Sequence, residues 1–182
     1  MIINRAYIKL DNKKYFPSIE DVLKQYFFEV EIIVKEDIVM ILTNNNESFL
    51  LQLTKLHDSL VMDLNTKVSI LVVPFFDKIF IKYLNYVNND VCTVFDVFLK
   101  NINLDVVKED SKIIIQSIEK KDLDTIKAFL MCNANSCATA NELYLHRNSF
   151  NYRMNSFINN TSMDIRDINT LMFIQLILSI NK

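Results

Sequence analysis

A chain of 182 residues without a single glycine lacks the residue that adopts left-handed backbone conformations at no steric cost and lets a backbone approach a ligand closely. Phosphate-cradling loops built on glycine, the P-loop and the dinucleotide fingerprint among them, are excluded, and the common nucleotide-handling enzymes fall away with them. Tryptophan is also absent, and Asn, Ile, Lys and Phe are plentiful, as codon bias in an AT-rich genome leaves a protein. Hydrophobic residues at 51% and charged residues at 23% describe a globular chain able to bury one compact core or two small ones. With a net charge of -2, any role with nucleic acid must rest on a local arrangement of groups.

Cys92, Cys132 and Cys137 are odd in number and none stands at C-x-x-C spacing, which predicts free thiols rather than a disulfide framework or a zinc site. The start from Met1 to Arg5 is too short an apolar stretch for a signal sequence, and no run is long enough to span a bilayer. A soluble cytoplasmic protein is expected, with no membrane association, no cofactor and no metal.

The first half is patterned as mixed α and β. Phe16, Pro17 and Ser18, followed by Ile19, Val22, Leu23 and Phe27, predict a helix capped by Ser18. Val30 to Val34, the corner Lys35-Glu36-Asp37 and Ile38 to Leu42 predict a β-hairpin. A loop at 43–46 precedes an amphipathic helix from Glu47 to Leu64, whose leucines hold one apolar face. Val68 to Val73 is a short buried strand ended by Pro74. Ile79, Tyr83, Tyr86 and Val87 suggest another helix, and Val91 to Leu99 fits either helix or strand. The polar run Lys108-Glu109-Asp110-Ser111 is the expected domain boundary.

Beyond it the pattern is helical throughout. Ser111 caps a helix holding Ile114, Ile115 and Ile118, and Asp122 starts a second with Leu123, Ile126, Phe129 and Leu130 inward. After the loop 133–136 a short helix runs to about Tyr144, then a tight corner, then a helix from Asn148 to about Ile158, and a last one from Asp164 to Ile180. The architecture expected is α+β: a small N-terminal α/β regulatory or dimerisation domain over 1–108, then an all-α helix-turn-helix domain over 109–182.

Two short helices joined by a corner of about four residues are what a helix-turn-helix requires, because the second helix must stand steeply to the first to enter a major groove. Ala140 and Leu143 on the first helix, Leu145 in the corner, and Phe150, Met154 and Phe157 on the second make a small apolar wedge. Outward on the second helix stand Arg147, Asn148, Ser149, Asn151, Tyr152 and Asn155, with no acidic group. Arginine suits guanine and asparagine suits adenine, and all of these side chains can donate to phosphate oxygens. Asn148 is the expected N-cap. Arg153, beside buried Met154, divides between a DNA contact and a tie to a carboxylate such as Glu142 or Asp164. His146 in the corner is placed to bond backbone groups that the turn leaves unpaired.

The run from Thr139 to Met154, T-A-N-E-L-Y-L-H-R-N-S-F-N-Y-R-M, resembles the C-terminal helix-turn-helix of the PucR/CdaR family, whose signature reads T-A-x-x-L-x-V-H-R-N-T-L-x-Y-R-L. Leu123 to Ile126 is similar to the family's L-x-T-L helix, and Thr161 to Asp167 to its T-G-x-D-L-x-D segment, with Ser162 in the glycine's place. The likeness covers about 112–180. It implies a transcriptional regulator that binds double-stranded DNA as a homodimer or larger assembly and responds to a small-molecule effector or other cue through its upstream part. The family often carries a GGDEF-like domain there, and the elements between Glu29 and Val73 fit a shortened version, although without glycine no working cyclase motif exists.

No catalytic residues are expected. Glu20-Asp21, Glu36-Asp37 and Glu109-Asp110 fall where helix starts or turns explain them, His57, alone on the leucine-rich helix, reads as a surface or boundary residue and not a metal site, and nothing places His57 or His146 beside a cysteine. The alternative to DNA binding is a protein-protein interaction module, because Glu142, Asp164 and Asp167 offset the arginines of the domain.

Overall fold

The structure, a computed structural model, describes residues 4–27, 29–43, 49–75 and 78–182. It divides into two compact units, Met1–Val97 and Phe98–Lys182.

In the first unit the described strands form one sheet in the order β2-β3-β1-β4-β5. The strands are β1 (Asn4–Leu10), β2 (Val30–Lys35), β3 (Ile38–Thr43), β4 (Val68–Val72) and β5 (Val91–Thr93). β1 is the strand that sequence patterning missed. It lies at the centre, antiparallel to β3 and β4, with Tyr7 opposite Met40 on one side and Leu71 on the other. Ala6, Tyr7 and Ile8 are all buried, so this strand is covered on both faces and shows no alternation for a periodicity search to find. The expected hairpin forms as β2 and β3, turning at Glu36 with φ 53°.

Two helices, α1 (Phe16–Tyr26) and α2 (Phe49–Leu64), cover one face. Leu23, Phe27, Leu53, Leu56 and Leu60 pack with Ile8, Ile41 and Ile70 in one buried cluster, the kind of close packing in which each side chain contributes roughly 1.5–3 kcal/mol. α1 begins two residues before Ser18, with Tyr15 at the N-cap, no side-chain cap bond, and Pro17 in the first turn, where a missing N–H costs no helical bond. Glu47 and the asparagines of the expected loop at 44–46 lie outside the described residues. The segment from Ile79 to Val87 is a single α-turn, α3 (Lys78–Ile81), running into a 3-10 turn over Lys82–Tyr86. The ambiguous stretch resolves into β5, parallel to β4, and α4 (Val94–Lys100). Asn89, at φ 51°, accepts the Val68 N–H at 3.0 Å and so ties this crossover to the sheet.

The second unit is helical: α5 (Asp105–Gln116), α6 (Lys120–Met131), α7 (Ser136–Glu142), α8 (Arg147–Thr161) and α9 (Ile168–Ile180). The units part between Val97 and Phe98, and positions 108 and 109 fall within α5. The polar run 108–111 lies inside α5, where Asp110 and Ser111 are buried. Ser111 is not a cap: its hydroxyl donates to the Lys108 carbonyl at 2.8 Å and accepts from Asn181 Nδ2 at 2.9 Å, linking α5 to the end of α9. Asp122 stands third in α6, behind a Glu119 N-cap. The last helix starts at Ile168, where Asp167 accepts the Thr170 N–H at 2.8 Å. Glu109-Asp110 thus sits in a helix interior, and Glu20 within α1 pairs with Lys24 at 2.7 Å.

Candidate nucleic-acid interface

α6, α7 and α8 pack on one another. Ala140, Phe150, Met154 and Phe157 are buried, while Leu143 and Leu145 are half-buried. The apolar wedge thus holds as expected and gains Phe129 of α6, whose ring lies 6.3 Å from that of Phe150. Fully buried Thr139 completes it, its hydroxyl donating to the Asn135 carbonyl at 2.7 Å. The wedge thus draws its buried side chains from three helices.

Each helix end is closed by local chemistry. Asn135 caps α7 by accepting the Ala138 N–H at 3.0 Å. At its other end Tyr144 takes the left-handed conformation, φ 53°, its N–H donating to Asn141 at 3.0 Å while the Leu145 N–H reaches Ala140 at 2.8 Å. These are the two bonds of a Schellman motif, and they close α7 at the corner. The N-cap of α8 is His146, not Asn148. His146 has extended backbone angles, and its Nδ1 accepts the Asn148 N–H at 3.2 Å. Asn148 is the second helical residue and supplies the orphan donor instead of satisfying it. At the far end Ser162, at φ 60° and ψ 10°, occupies the left-handed C-cap where glycine would be unstrained.

Arg147, Asn148, Ser149, Asn151, Tyr152 and Asn155 are all exposed on α8, as expected. Among the described residues no ion pair engages Arg147. Arg153 is half-buried, and its Nη1 donates to Thr125 Oγ1 on α6 at 3.2 Å. Neither carboxylate expected to hold it does so: Glu142 is exposed on α7, and Asp164 accepts two bonds of 2.8 and 2.7 Å from the Arg166 guanidinium and one of 3.0 Å from its backbone N–H. Burial alone would raise the Asp164 carboxyl, but the Arg166 hydrogen bonds outweigh it and hold the group below the ordinary carboxylate value.

A cleft of about 550 Å³ opens between the start of α6 and the outer face of α8, lined by Lys121, Asp122, Leu145, Asn148, Ser149, Tyr152, Arg153 and Ser156. Sequence patterning missed its α6 side, because Lys121 and Asp122 precede the helix-turn-helix by more than a dozen residues and nothing local links them to it. Asp122 is buried, and its Oδ1 has no partner among the described residues. Desolvation lifts this carboxyl above its ordinary value; Glu119 adds to the shift, while Lys121 and Arg153 counter it. Tyr144, 96% exposed in the corner, was likewise not among the expected contacts. The cleft joins amide, hydroxyl and guanidinium donors on its α8 wall, which suits anionic oxygens.

Elsewhere, buried His57 has its Nδ1 3.2 Å from Asp58 Oδ1, and its Nε2 has no partner among the described residues. The thiols Cys92, Cys132 and Cys137 are free. No helix among the described residues is long and apolar enough to cross a membrane.

The uncharacterized protein YxkF of Bacillus subtilis (strain 168) is 38% identical over 61 residues, which are 34% of this chain and 20% of that protein. The chain thus matches about a fifth of the length of this curated relative. A crystal structure of a regulator of polyketide synthase expression from Bifidobacterium adolescentis superposes with a TM-score of 0.47 at 13% identity, over 98% of this chain and 80% of that one. Residues 122–180, which hold most of α6 and all of α7, α8 and α9, match the family model of the PucR C-terminal helix-turn-helix domain.

Proposed function

We propose that this protein is a transcriptional regulator that binds double-stranded DNA through α8, acting as a homodimer whose N-terminal unit pairs the copies and receives a small-molecule effector. The observation that carries this reading is the outward face of α8, where Arg147, Asn148, Ser149, Asn151, Tyr152 and Asn155 are exposed together with no carboxylate among them. In the proposed complex Arg147 and the asparagines read base edges. Ser149 and Arg153 line the cleft and hold a backbone phosphate, with Arg153 also bracing α8 on α6. Tyr152 packs on sugar.

One such helix neutralises few phosphates, and non-specific affinity follows that number. Two copies on half-sites about 34 Å apart add their contacts and impose symmetry on the operator. A regulator also fits the absence of glycine better than an enzyme that handles nucleotides.

A second reading has an observation in its favour. Over 122–180 the carboxylates Asp122, Asp124, Glu142, Asp164 and Asp167 face only Lys127, Arg147, Arg153 and Arg166, a balance that suits a protein partner as well. A salt titration separates the two. Selection of bound fragments from genomic DNA, followed by anisotropy at increasing salt, should give a log-log slope of about -0.9 per phosphate neutralised. Arg147→Ala should weaken binding and, where Arg147 contacts phosphate, flatten the slope by about one. No DNA complex even at low salt would leave the protein-interaction reading.

A further inference from the structure

We propose that the free edge of β2 is a self-complementary surface through which two copies of this chain pair, antiparallel and centred on Ile33. β2 is bonded to β3 alone, so among the described residues its other edge carries no strand. An edge of this kind presents a row of N–H and C=O groups ready to pair. It is also apolar for an edge: Ile33 is 36% and Val34 47% exposed. Glu31 and Lys35 are exposed beside them, and among the described residues neither takes part in an ion pair.

The choice of register follows from the geometry of antiparallel pairing. Outward-pointing backbone groups alternate along a strand, so an identical antiparallel copy pairs only where some residue stands opposite itself. Centring on Glu31 sets like charges face to face. Centring on Ile32 sets Glu31 against Ile33. Centring on Ile33 sets Glu31 opposite Lys35 twice, by symmetry, and Ile32 opposite Val34, so each facing pair is complementary. The resulting interface is isologous, as a two-fold dimer requires. Directly opposite residues share a face, so the α1 and α2 layers of both copies lie on the same side of one continuous ten-stranded sheet.

This inference deepens the dimerisation step of the reading above, and its test uses no DNA, so failure here leaves the assignment of α8 to stand or fall on the salt titration. The full chain is followed by sedimentation equilibrium as the unmodified protein, as Glu31→Lys, as Lys35→Glu, and as the double variant. Each single variant sets like charges opposite each other twice and should raise the dimer Kd about tenfold or more. An equimolar mixture of the two single variants should recover dimer, because one copy then carries lysine at both positions and the copy facing it carries glutamate at both. The double variant should recover it alone, and this keeps the test decisive if a single variant folds poorly. A monomeric unmodified chain, single variants that dimerise as well as it does, or a mixture that recovers nothing would each overturn the proposal.

Discussion

Tyr144→Gly should stabilise the second unit, although it deletes a large aromatic side chain. Tyr144 sits at φ 53° at the C-terminal corner of α7, and its ring is 96% exposed, so truncation forfeits almost no buried surface. The left-handed conformation costs a residue with a Cβ about 1–2 kcal/mol, which glycine avoids. Against this, glycine gains about 0.4–1 kcal/mol of chain entropy in the unfolded state. The net is a stabilisation of roughly 0.5–1 kcal/mol from those two figures. For a unit the size of Phe98–Lys182 this corresponds to a rise of about 2–8 °C in its melting temperature. Thermal and urea melts followed by circular dichroism check it, with Tyr144→Ala as control: alanine keeps the left-handed cost and should shift the melt little. A melt lowered by the glycine would mean that the exposed ring or the tyrosine backbone stabilises the corner, and the reasoning would be wrong.

Other outcomes follow from the same geometry. Phe150→Ala empties the centre of the wedge against Phe129 and should cost about 3–5 kcal/mol, read as loss of the cooperative melt of the second unit. Asp164→Asn should destabilise at neutral pH and much less in acid. The Asp164 carboxyl is held below its ordinary value of 3.8 in the folded chain, so its contribution is present above that value and lost as pH falls through the lower folded value; equal losses at pH 7 and pH 3 in urea melts would refute this. Asp122 has the opposite sign: its carboxyl is raised above 3.8, so its ionisation penalises folding as pH rises. Asp122→Asn should therefore improve stability at pH 7 relative to pH 3, and a gain at pH 3 alone would contradict it. Thr125→Val removes the acceptor for Arg153 and should weaken DNA binding less than Arg153→Ala does; the reverse order in anisotropy would show that Arg153 acts only in packing.

What the sequence disclosed depended on whether the deciding interaction was local. The wedge and the polar face of α8 follow from spacing along one helix, and the run from Thr139 to Met154 carries both. The hairpin and β4 announced themselves through β-branched runs between turns. β1 did not, because a central strand buried on both faces has no alternation, and its place is fixed by partners dozens of residues away. Ser111 illustrates the same limit. A serine among charged residues suggests a cap, but its hydroxyl is satisfied within α5 and by Asn181 at the far end of the unit. His146 is legible as a residue that serves the turn, yet local preference favours asparagine and points to Asn148 as the cap, while the helix start depends on where the corner ends.

The absence of glycine ties these findings together. Positive φ among the described residues falls on Glu36, Asn65, Asn89, Asn133, Ala134, Tyr144 and Ser162, and three of the seven are asparagine, the residue that best tolerates this region after glycine. Asn133 and Ala134 close α6 with the same two-bond pattern that Tyr144 and Leu145 use for α7. The chain therefore keeps the backbone path of its turns and bears the strain at residues that would not choose them. The corner angle of the helix-turn-helix is fixed by the buried wedge, not by the conformational ease of its turn. A glycine at Tyr144 should then change stability without changing the orientation of α8, so DNA affinity per folded molecule should stay as it is unless the Tyr144 ring itself reaches DNA, in which case Tyr144→Ala would lose the same affinity.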